Sequence, residues 1–353
     1  MKLGIIGLPQ TGKTTLFNAL TGHDQPTNAS AGRMEVHTAV VDVPDPRVDV
    51  LSKMYNPKKT AYAKVTYADI AGLEGSGQGS ISGQLLNQIA QMDGLIHVVR
   101  CFEDDSVAHA AGSVNPARDI SAMNSELLLN DLIVVERKLE KLSDESQRGG
   151  TDKVINARQT ELFKRILEVL SEDKPLRDIE FTELEEGDLS GFGLLTRKPM
   201  MILLNLGEGQ AKPEIEVEHS IPVVDLMGKL EMEISQLPED DAAMFMEEYD
   251  IKEPGLNKMI RLSYDLLTLQ SFFTVGEDEV RAWTVKRGAN AQEAAGTIHS
   301  DLEKGFIRAE VVTYEDLTTL GSMSEARNHG KFRLEGKKYI VQDGEIVHIR
   351  FNI

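Results

Sequence analysis

Short apolar runs alternate with amphipathic stretches through the first two thirds of the chain. Residues 2–6, 95–102 and 200–204 are apolar over the length of a buried strand. Two further runs, 39–43 and 64–72, also have strand character, and the stretches between the runs fit helices. Strands that alternate with helices in this way predict an α/β fold.

The pattern changes between the apolar runs at 95–102 and 200–204, where a long amphipathic segment lies. Its apolar positions recur at spacings of four and three residues, which is typical of a coiled-coil seam, at Leu128, Leu132, Val135, Leu139 and Leu142. Residues 147–150 interrupt this pattern, and a second helix follows with Leu162, Ile166 and Val169 on one face. We expect an antiparallel helical hairpin inserted between strands; the alternative is that both helices simply cover the sheet.

The pattern becomes β-rich after residue 270. Strands are expected at 271–275 and 280–285, followed by a helix at 290–300. Two last strands are expected at 339–341 and 346–351, on either side of a turn at Asp343-Gly344. This part of the chain is predicted to be a small, separate α+β module.

Composition and charge restrict the possible functions. The chain has 353 residues, one cysteine and a formal net charge of −19, which argues against a protein that coats nucleic acid by bulk charge. The acidic excess lies in the first 271 residues, so an RNA or ribosome contact would fall more readily on the C-terminal part, unless that part is only a less acidic surface. The single Cys101 fits a reducing cytosol. We expect a cytoplasmic protein with no signal peptide and no membrane partner.

A glycine-rich loop follows the first apolar run. Residues 7–14 match the phosphate-loop pattern G-x-x-x-x-G-K-[ST], with Gly7, Gly12, Lys13 and Thr14 in the fixed places. Backbone N–H groups and a helix N-terminus would converge on phosphates there. Lys13 would contact the β- and γ-phosphates, and the Thr14 hydroxyl would be a ligand of Mg²⁺. The alternative is a glycine turn that matches by chance.

A second phosphate-site motif, D-x-x-G, ends the run at 64–72. Asp69 would hold Mg²⁺ through water, and the Gly72 N–H would bond the γ-phosphate. The same residues also occur in ordinary turns. The next residue is Leu73, where Ras-type GTPases have a glutamine that orients water, so hydrolysis would need another group.

The run at 200–204 ends in Asn205, Leu206, Gly207 and Glu208, where GTPases have N-K-x-D for guanine recognition. Glu208 is one methylene longer than the usual aspartate, and Leu206 replaces lysine. The guanine contact is therefore altered, and ATP becomes a plausible ligand.

Two histidines are candidates for chemistry near the apolar run at 95–102. His97 lies inside this run, and we interpret it as a core side chain. His109 lies beyond the end of the run in a loop, and it is the better catalytic candidate.

Eight short motifs are spread along the chain: G-L-P-x-x-G-K-[ST]-T-L-F-N-A-L-T at 7–21, P-D-P-R at 44–47, D-I-A-G-L at 69–73, H-V-V-R-C-F-E at 97–103, V-N-P at 114–116, E-P-G-L-N at 253–257, V-R-A-W-T at 280–284 and E-K-G-F-I-R-A-E at 303–310. Together they resemble the YchF family, the Obg-related P-loop ATPases, over essentially the whole chain.

The resemblance implies a P-loop NTPase sheet (G domain) with a coiled-coil insertion, and a C-terminal α+β TGS-like module of the β-grasp type. It also implies a preference for ATP over GTP, association with the ribosome, and roles in translation or stress responses. The family's loop histidine, a proposed catalytic aid, falls on His109.

Three features depart from the family pattern. Gln10 and Thr11 stand where the family usually has Asn-Val, and that asparagine is linked to a monovalent-cation site. The replacement by Gln10 therefore argues against K⁺ as a second cofactor beside Mg²⁺. Arg33 stands where the family commonly has a Mg²⁺-binding threonine, and Thr38 is a weak substitute. The helical hairpin is also somewhat shorter than usual.

We therefore expect a monomeric NTPase that binds ATP in preference to GTP, hydrolyses it slowly and acts on or near the ribosome. The alternatives are a GTPase, or a nucleotide-dependent binding module with negligible turnover. Lys13 and His109 are the predicted catalytic residues, and Thr14 and Asp69 the predicted metal ligands. The predicted nucleotide-binding residues are Gly7, Pro9, Gln10, Thr11, Gly12, Lys13, Thr14, Thr15, Gly72, Asn205, Leu206 and Glu208. The predicted domains are the two parts of the G domain at 1–117 and 191–270, the helical insertion at 118–190 and the TGS-like domain at 271–353.

Overall fold

The computed structural model describes residues 1–22, 36–70, 83–109, 111–148, 152–217, 221–248, 251 and 253–352. The strands are β1 (Lys2–Ile6), β2 (Val36–Asp42), β3 (Lys59–Ala61), β4 (Lys64–Ile70), β5 (Gly94–Arg100), β6 (Met200–Asn205), β7 (Val223–Leu226), β8 (Leu269–Thr274), β9 (Glu279–Lys286), β10 (Phe306–Val312), β11 (Arg333–Glu335) and β12 (Ile346–Phe351).

The α-helices are α1 (Lys13–Thr21), α2 (Pro46–Tyr55), α3 (Gly83–Ala90), α4 (Pro116–Arg148), α5 (Lys153–Ser171), α6 (Glu183–Leu189), α7 (Gly228–Ser235), α8 (Glu239–Glu248), α9 (Gly255–Leu266), α10 (Ala291–Ile298), α11 (Ser300–Lys304), α12 (Tyr314–Leu320) and α13 (Met323–Asn328). A short 3₁₀ turn lies at Leu176–Asp178. Among the helices in the described ranges, none combines the length and the apolar character that a membrane crossing requires.

The first sheet has the strand order β2-β4-β1-β5-β6-β7. Strand β1 runs parallel to β4 and β5, and β6 runs parallel to β5 and β7. Every residue of β5 and β6 is buried, which explains why both sequences are mostly apolar. Side chains of α3 and α4 complete this core. The carboxyl ends of these parallel strands meet at one edge of the sheet, and the loops that leave this edge carry the predicted site.

The predicted helical hairpin is confirmed as α4 and α5, which pack against each other. Val135 and Leu142 of α4 share a buried cluster with Leu162 and Ile166 of α5. Asp131 fixes α4 to the chain that follows α6. Its carboxylate accepts hydrogen bonds from the N–H groups of Leu195 and Thr196, at 2.8 and 2.7 Å, and from the Thr196 hydroxyl.

The second sheet has the order β11-β10-β12-β8-β9-β3. Strands β8 and β9 form an antiparallel hairpin, and the last strand, β12, lies parallel to β8 and antiparallel to β10. Helix α10 begins with a capping box between Asn290 and Glu293, and its alanines pack into the core of this sheet. This is the β-grasp arrangement expected for the C-terminal module.

The predicted strand at 339–341 is wrong. Within the described segment 253–352, this stretch makes only a single bridge, from Ile340 to Asn290. The turn at Asp343-Gly344 does not close a hairpin, because its groups bond to β8. The Gly344 N–H donates to Ser271 O, and the Asp343 carboxylate accepts from Ser271 N. The antiparallel neighbour of β12 is instead β10, a strand that the sequence pattern did not predict.

Contacts divide the chain into two compact units. One contains Met1–Ala39 and Thr66–Leu256, and the other contains Val40–Val65 and Asn257–Ile353. Residues 40–65 group with the C-terminal residues because β3 pairs in parallel with the outer side of β9. The predicted boundaries at 117, 190 and 270 remain a prediction.

Candidate functional site

The phosphate loop occupies residues 7–12, between β1 and α1, as its sequence predicts. Gly7 and Gly12 have φ angles of 153° and 92°. A Cβ at Gly7 would lie 2.4 Å from Val98 O, and one at Gly12 would lie 2.3 Å from the Asn205 side chain. Both positions therefore require glycine. Gln10, with φ 60°, is exposed at the tip of the loop.

Lys13 lies at the start of α1 and is buried. Its ammonium group donates to the carbonyl oxygens of Gly7 and Leu8, at 3.0 and 2.7 Å, so it is held over the loop. Thr11 is buried below, and its hydroxyl donates to Leu8 O. The half-buried Pro9 and Thr15 complete the predicted loop residues.

Thr14 and Asp69 meet as the sequence predicts. The Thr14 hydroxyl donates to Asp69 Oδ2 at 2.9 Å. The other carboxylate oxygen, Oδ1, is buried and makes no hydrogen bond within the described part of the chain. Burial raises the pKa of Asp69, while the hydrogen bond from Thr14 opposes the shift. A hydroxyl beside a carboxylate oxygen with a free lone pair fits a Mg²⁺ ion, which prefers oxygen ligands.

Asn205 ends β6 and joins two loops. Its side-chain Nδ2 donates to Thr11 O at 3.0 Å, and its Oδ1 accepts from Gly228 N at 2.9 Å. Both ends of the amide thus hold backbone rather than project freely. Leu206 is buried, whereas Glu208 is exposed in the turn that follows.

The two histidines differ in their surroundings. His97 is buried in β5, as interpreted from the sequence, and burial lowers its pKa to about 3, so it is neutral. His109 Nε2 lies 3.0 Å from Asp119 Oδ2, and its Nδ1 accepts from Ala111 N. The Nδ1 contact requires the tautomer with the proton on Nε2, which donates to Asp119. Arg118 donates to the other oxygen of Asp119.

Sequence reasoning missed three residues at this edge of the sheet. Arg100 is buried at the end of β5, where it donates to the carbonyls of Phe102 and Asp104 and lies over the Phe102 ring. Asp119 was not singled out, although it follows the V-N-P motif closely. Gln210 bonds two loops together. An arginine that ends an otherwise apolar strand was the one signal that the sequence offered.

Some predicted residues lie outside the described part of the chain. These are Gly72 and Leu73, together with Arg33. Thr38, the weak substitute for a metal ligand, lies inside β2 and is exposed.

Family models match both ends of the chain. A model described as "50S ribosome-binding GTPase" matches residues 2–138. The C-terminal YchF-GTPase model, described as "Protein of unknown function (DUF933)", matches residues 269–352.

Full-length relatives are similar throughout. The chain is 41% identical to a "Ribosome-binding ATPase YchF" from Bacillus subtilis, with 99% of each chain covered. It is 39% identical to the protein of that name from Escherichia coli O157:H7, over 100% of this chain and 99% of the relative. The solved structure of the Schizosaccharomyces pombe YchF GTPase is 30% identical, covers 99% of this chain and 97% of its own, and superposes with a TM-score of 0.85. The chain therefore belongs to the YchF family.

Proposed function

We propose that this protein is a nucleoside triphosphatase that binds ATP in preference to GTP, hydrolyses it slowly and acts as a regulatory switch on the ribosome. The YchF relatives are named ribosome-binding ATPases, and the N-terminal family model describes ribosome-binding GTPases. Slow hydrolysis and the preference for ATP are inferences from individual residues of this chain.

The observation that carries the proposal is the pair of Thr14 and Asp69 beside the phosphate loop. Three polar groups lie together at the start of α1: the Thr14 hydroxyl, the Asp69 carboxylate and the Lys13 ammonium group. One oxygen of Asp69 is buried and makes no hydrogen bond to any described residue. This combination suits a triphosphate with its metal better than it suits a neutral ligand. Thr14 and Asp69 would hold Mg²⁺, which when bound would neutralise charge on the β- and γ-phosphates.

The residues of the chain have separate tasks in this proposal. The N–H groups of residues 7–14 and the start of α1 bind phosphate oxygens. Lys13 exchanges its two loop carbonyls for phosphate oxygens and stabilises the charge that develops there. Asn205 keeps the loop in register with β6 through Thr11. Gly72 would donate to the γ-phosphate.

Glu208 is the basis of the preference for ATP. An aspartate at this place would accept two hydrogen bonds from guanine, whereas the side chain of Glu208 is longer by one methylene group. Adenine has no 2-amino group and carries a 6-amino donor. Leu206 is buried next to this turn and replaces the lysine of the GTPase motif.

The ribosome is the proposed macromolecular partner, and the proposed location is therefore the cytoplasm. The proposed working form is a monomer. The proposed domains are the G domain at 1–117 and 191–270, the insertion at 118–190 and the TGS-like domain at 271–353. We propose Mg²⁺ as the cofactor. A K⁺ ion is a possible second cofactor, and Gln10 argues against it because it replaces the asparagine that the family links to a monovalent cation.

Calorimetric titration of the full chain with ATP and with GTP, both with Mg²⁺, tests the preference. We expect tighter binding of ATP; a clear preference for GTP would overturn the adenine assignment and favour the GTPase alternative. Repeating the titration in KCl and in NaCl tests the potassium site, and equal affinities would remove K⁺.

One observation favours a second candidate, a binding module with negligible turnover. His109, the predicted catalytic residue, is buried and bonded through both ring nitrogens. Single-turnover hydrolysis with and without ribosomes separates the candidates. The enzyme should turn over slowly, well below about 10 per second, whereas the module should release no phosphate in either condition.

A further inference from the structure

The turn after β6 is closed by the side chain of Gln210. Residues 207–210 form a tight turn, in which Gln210 N donates to Gly207 O at 3.2 Å and Gly209 has φ 67°. The Gln210 side chain adds a bond in the opposite direction, because its Oε1 accepts from Gly207 N at 2.9 Å. Glu208 is therefore held inside a ring of two reciprocal hydrogen bonds.

The same side chain fastens this turn to the neighbouring loop. Gln210 Nε2 donates to Cys101 O at 2.8 Å. Cys101 N in turn donates to Asn205 O. Both backbone groups of Cys101, directly after β5, are therefore hydrogen-bonded to the end of β6 and the turn that follows it. The loops also pack closely, since a Cβ at Gly207 would lie 3.5 Å from Phe102 Cβ.

The segment that follows β5 is also held by Arg100. Arg100 donates to Phe102 O at 3.1 Å and lies 4.4 Å from the centre of the Phe102 ring. Gln210 therefore joins the turn, which contains Gly207 and Gly209, to a loop that Arg100 also holds. Without the Gln210 side chain, the turn would keep its backbone hydrogen bond at 3.2 Å but would lose the bond from Gly207 N and the tie to Cys101 O.

From this geometry we infer that Gln210 is a positioning residue for nucleotide selection: it holds Glu208 in the place from which that side chain discriminates between adenine and guanine. The inference rests on the proposed function. It assigns to Gln210 no contact with the nucleotide, and its effect passes through Glu208. A side chain can discriminate between adenine and guanine only if its position is fixed. If the turn could move freely, Glu208 would adapt to either base, and the difference in affinity between ATP and GTP would be lost.

The test compares three variants of the full chain by calorimetric titration with ATP and GTP. Gln210→Met keeps the length and volume but removes both hydrogen bonds, and Gln210→Glu keeps an acceptor for Gly207 N but loses the donor to Cys101 O. Gln147→Ala, an exposed residue in the last turn of α4, is the control. We expect Gln210→Met to weaken ATP binding by roughly 3- to 10-fold, the effect of one or two hydrogen bonds. GTP binding should change less, so that the ratio of the two affinities falls.

Gln210→Glu should lower the ratio as well, because the tie to Cys101 is lost, and Gln147→Ala should leave it unchanged. A purely structural role for Gln210 would lower both affinities equally. The decisive step repeats Gln210→Met in a Glu208→Ala background, where the ratio should no longer respond.

The outcomes separate this inference from the proposed function. A wild-type chain with no preference for ATP overturns both. A wild-type preference that survives Gln210→Met overturns the positioning role alone, as does a response that persists in the Glu208→Ala background.

Discussion

His109 Nε2 donates to Asp119 Oδ2 over 3.0 Å, and both side chains are almost completely buried. Asp119 also accepts from the guanidinium of Arg118 through its other oxygen. The imidazole is consequently held by the Asp119 side chain on one nitrogen and by Ala111 N on the other. In this arrangement neither nitrogen is available to activate water. A catalytic role for His109 therefore requires that it leave Asp119.

We predict that Asp119→Asn raises the intrinsic rate of ATP hydrolysis. The amide accepts a weaker hydrogen bond from His109 than the carboxylate does, which should favour the released state by about 1 kcal/mol, or roughly fivefold in rate. Single-turnover phosphate release measures it. The double variant with His109→Ala should show no rise; an equal rise with and without His109 would exclude this histidine from the reaction.

Exchange of Glu208 for Asp should raise affinity for GTP. The shorter side chain restores the length that accepts both guanine donors, and a charge-assisted hydrogen bond contributes about 1.5–3 kcal/mol, which predicts roughly 10-fold or tighter binding. Calorimetric titration with both nucleotides measures it, and Glu214→Asp, further along the same loop, is the control. An unchanged affinity for GTP would mean that the base is selected elsewhere.

Asp69→Asn should make the protein more stable but abolish the contribution of Mg²⁺ to ATP binding. The buried Oδ1 of Asp69 makes no hydrogen bond to any described residue, and the pKa of this carboxyl is raised by burial, so removal of the charge should stabilise the protein without nucleotide. We expect a rise in unfolding midpoint of about 2 °C. ATP affinity should also lose its dependence on Mg²⁺, which titrations with and without EDTA measure. The exposed Asp42→Asn is the control; a lower midpoint for Asp69→Asn would show that the charge is compensated.

The sequence predicted those parts of the molecule whose structure depends on neighbouring residues in the chain. The phosphate loop needs glycine at Gly7 and Gly12 because other atoms fill the place of a Cβ, so the motif and the geometry agree. Strands β5 and β6 were predictable because they are buried along their whole length and are therefore mostly apolar. The heptad-like spacing of α4 is as direct a signal.

Contacts between distant segments were not predictable. Strand β3 joins the second sheet because its backbone pairs with β9, more than 200 residues later, and its three residues have no distinctive pattern. Strand β10 was missed because Glu310 is buried there with Arg327 and Arg350 as partners, which breaks the expected alternation. The bridging roles of Asn205 and Gln210 depend on loops that meet only in the fold, because their partners Thr11 and Cys101 lie more than 100 residues away in the chain.

Arg47 should be a main stabilising residue of the compact unit formed by Val40–Val65 and Asn257–Ile353. Its guanidinium binds Asp45 at 2.8 Å and Asp343 at 2.7 Å, and lies 5.1 Å from the centre of the Phe273 ring. We expect Arg47→Ala to lower the free energy of unfolding by about 2–3 kcal/mol, and Arg47→Lys to lose most of this, since an ammonium group cannot bind both carboxylates side by side.

Urea unfolding of the full chain, followed by fluorescence of the single tryptophan, Trp283 in β9, reports on this unit. Arg287→Ala is the matched control, because its ion pair with Asp265 is more than half exposed on both sides and should contribute at most about 1 kcal/mol. Equal losses for Arg47→Ala and Arg287→Ala would contradict the assignment.

Asp131 should anchor helix α4 of the hairpin to the segment between α6 and β6. Its carboxylate is fully buried and accepts three hydrogen bonds from Leu195 and Thr196. Asp131→Ala leaves two backbone N–H groups buried without partners, and we expect a loss of about 3 kcal/mol in the free energy of unfolding. Hydrogen exchange locates the effect, because the amides of Leu195 and Thr196 should lose protection first. Asp144→Ala, exposed on the same helix, should change neither quantity. Protection that remains at both amides in Asp131→Ala would show that the segment is held by its apolar neighbours instead.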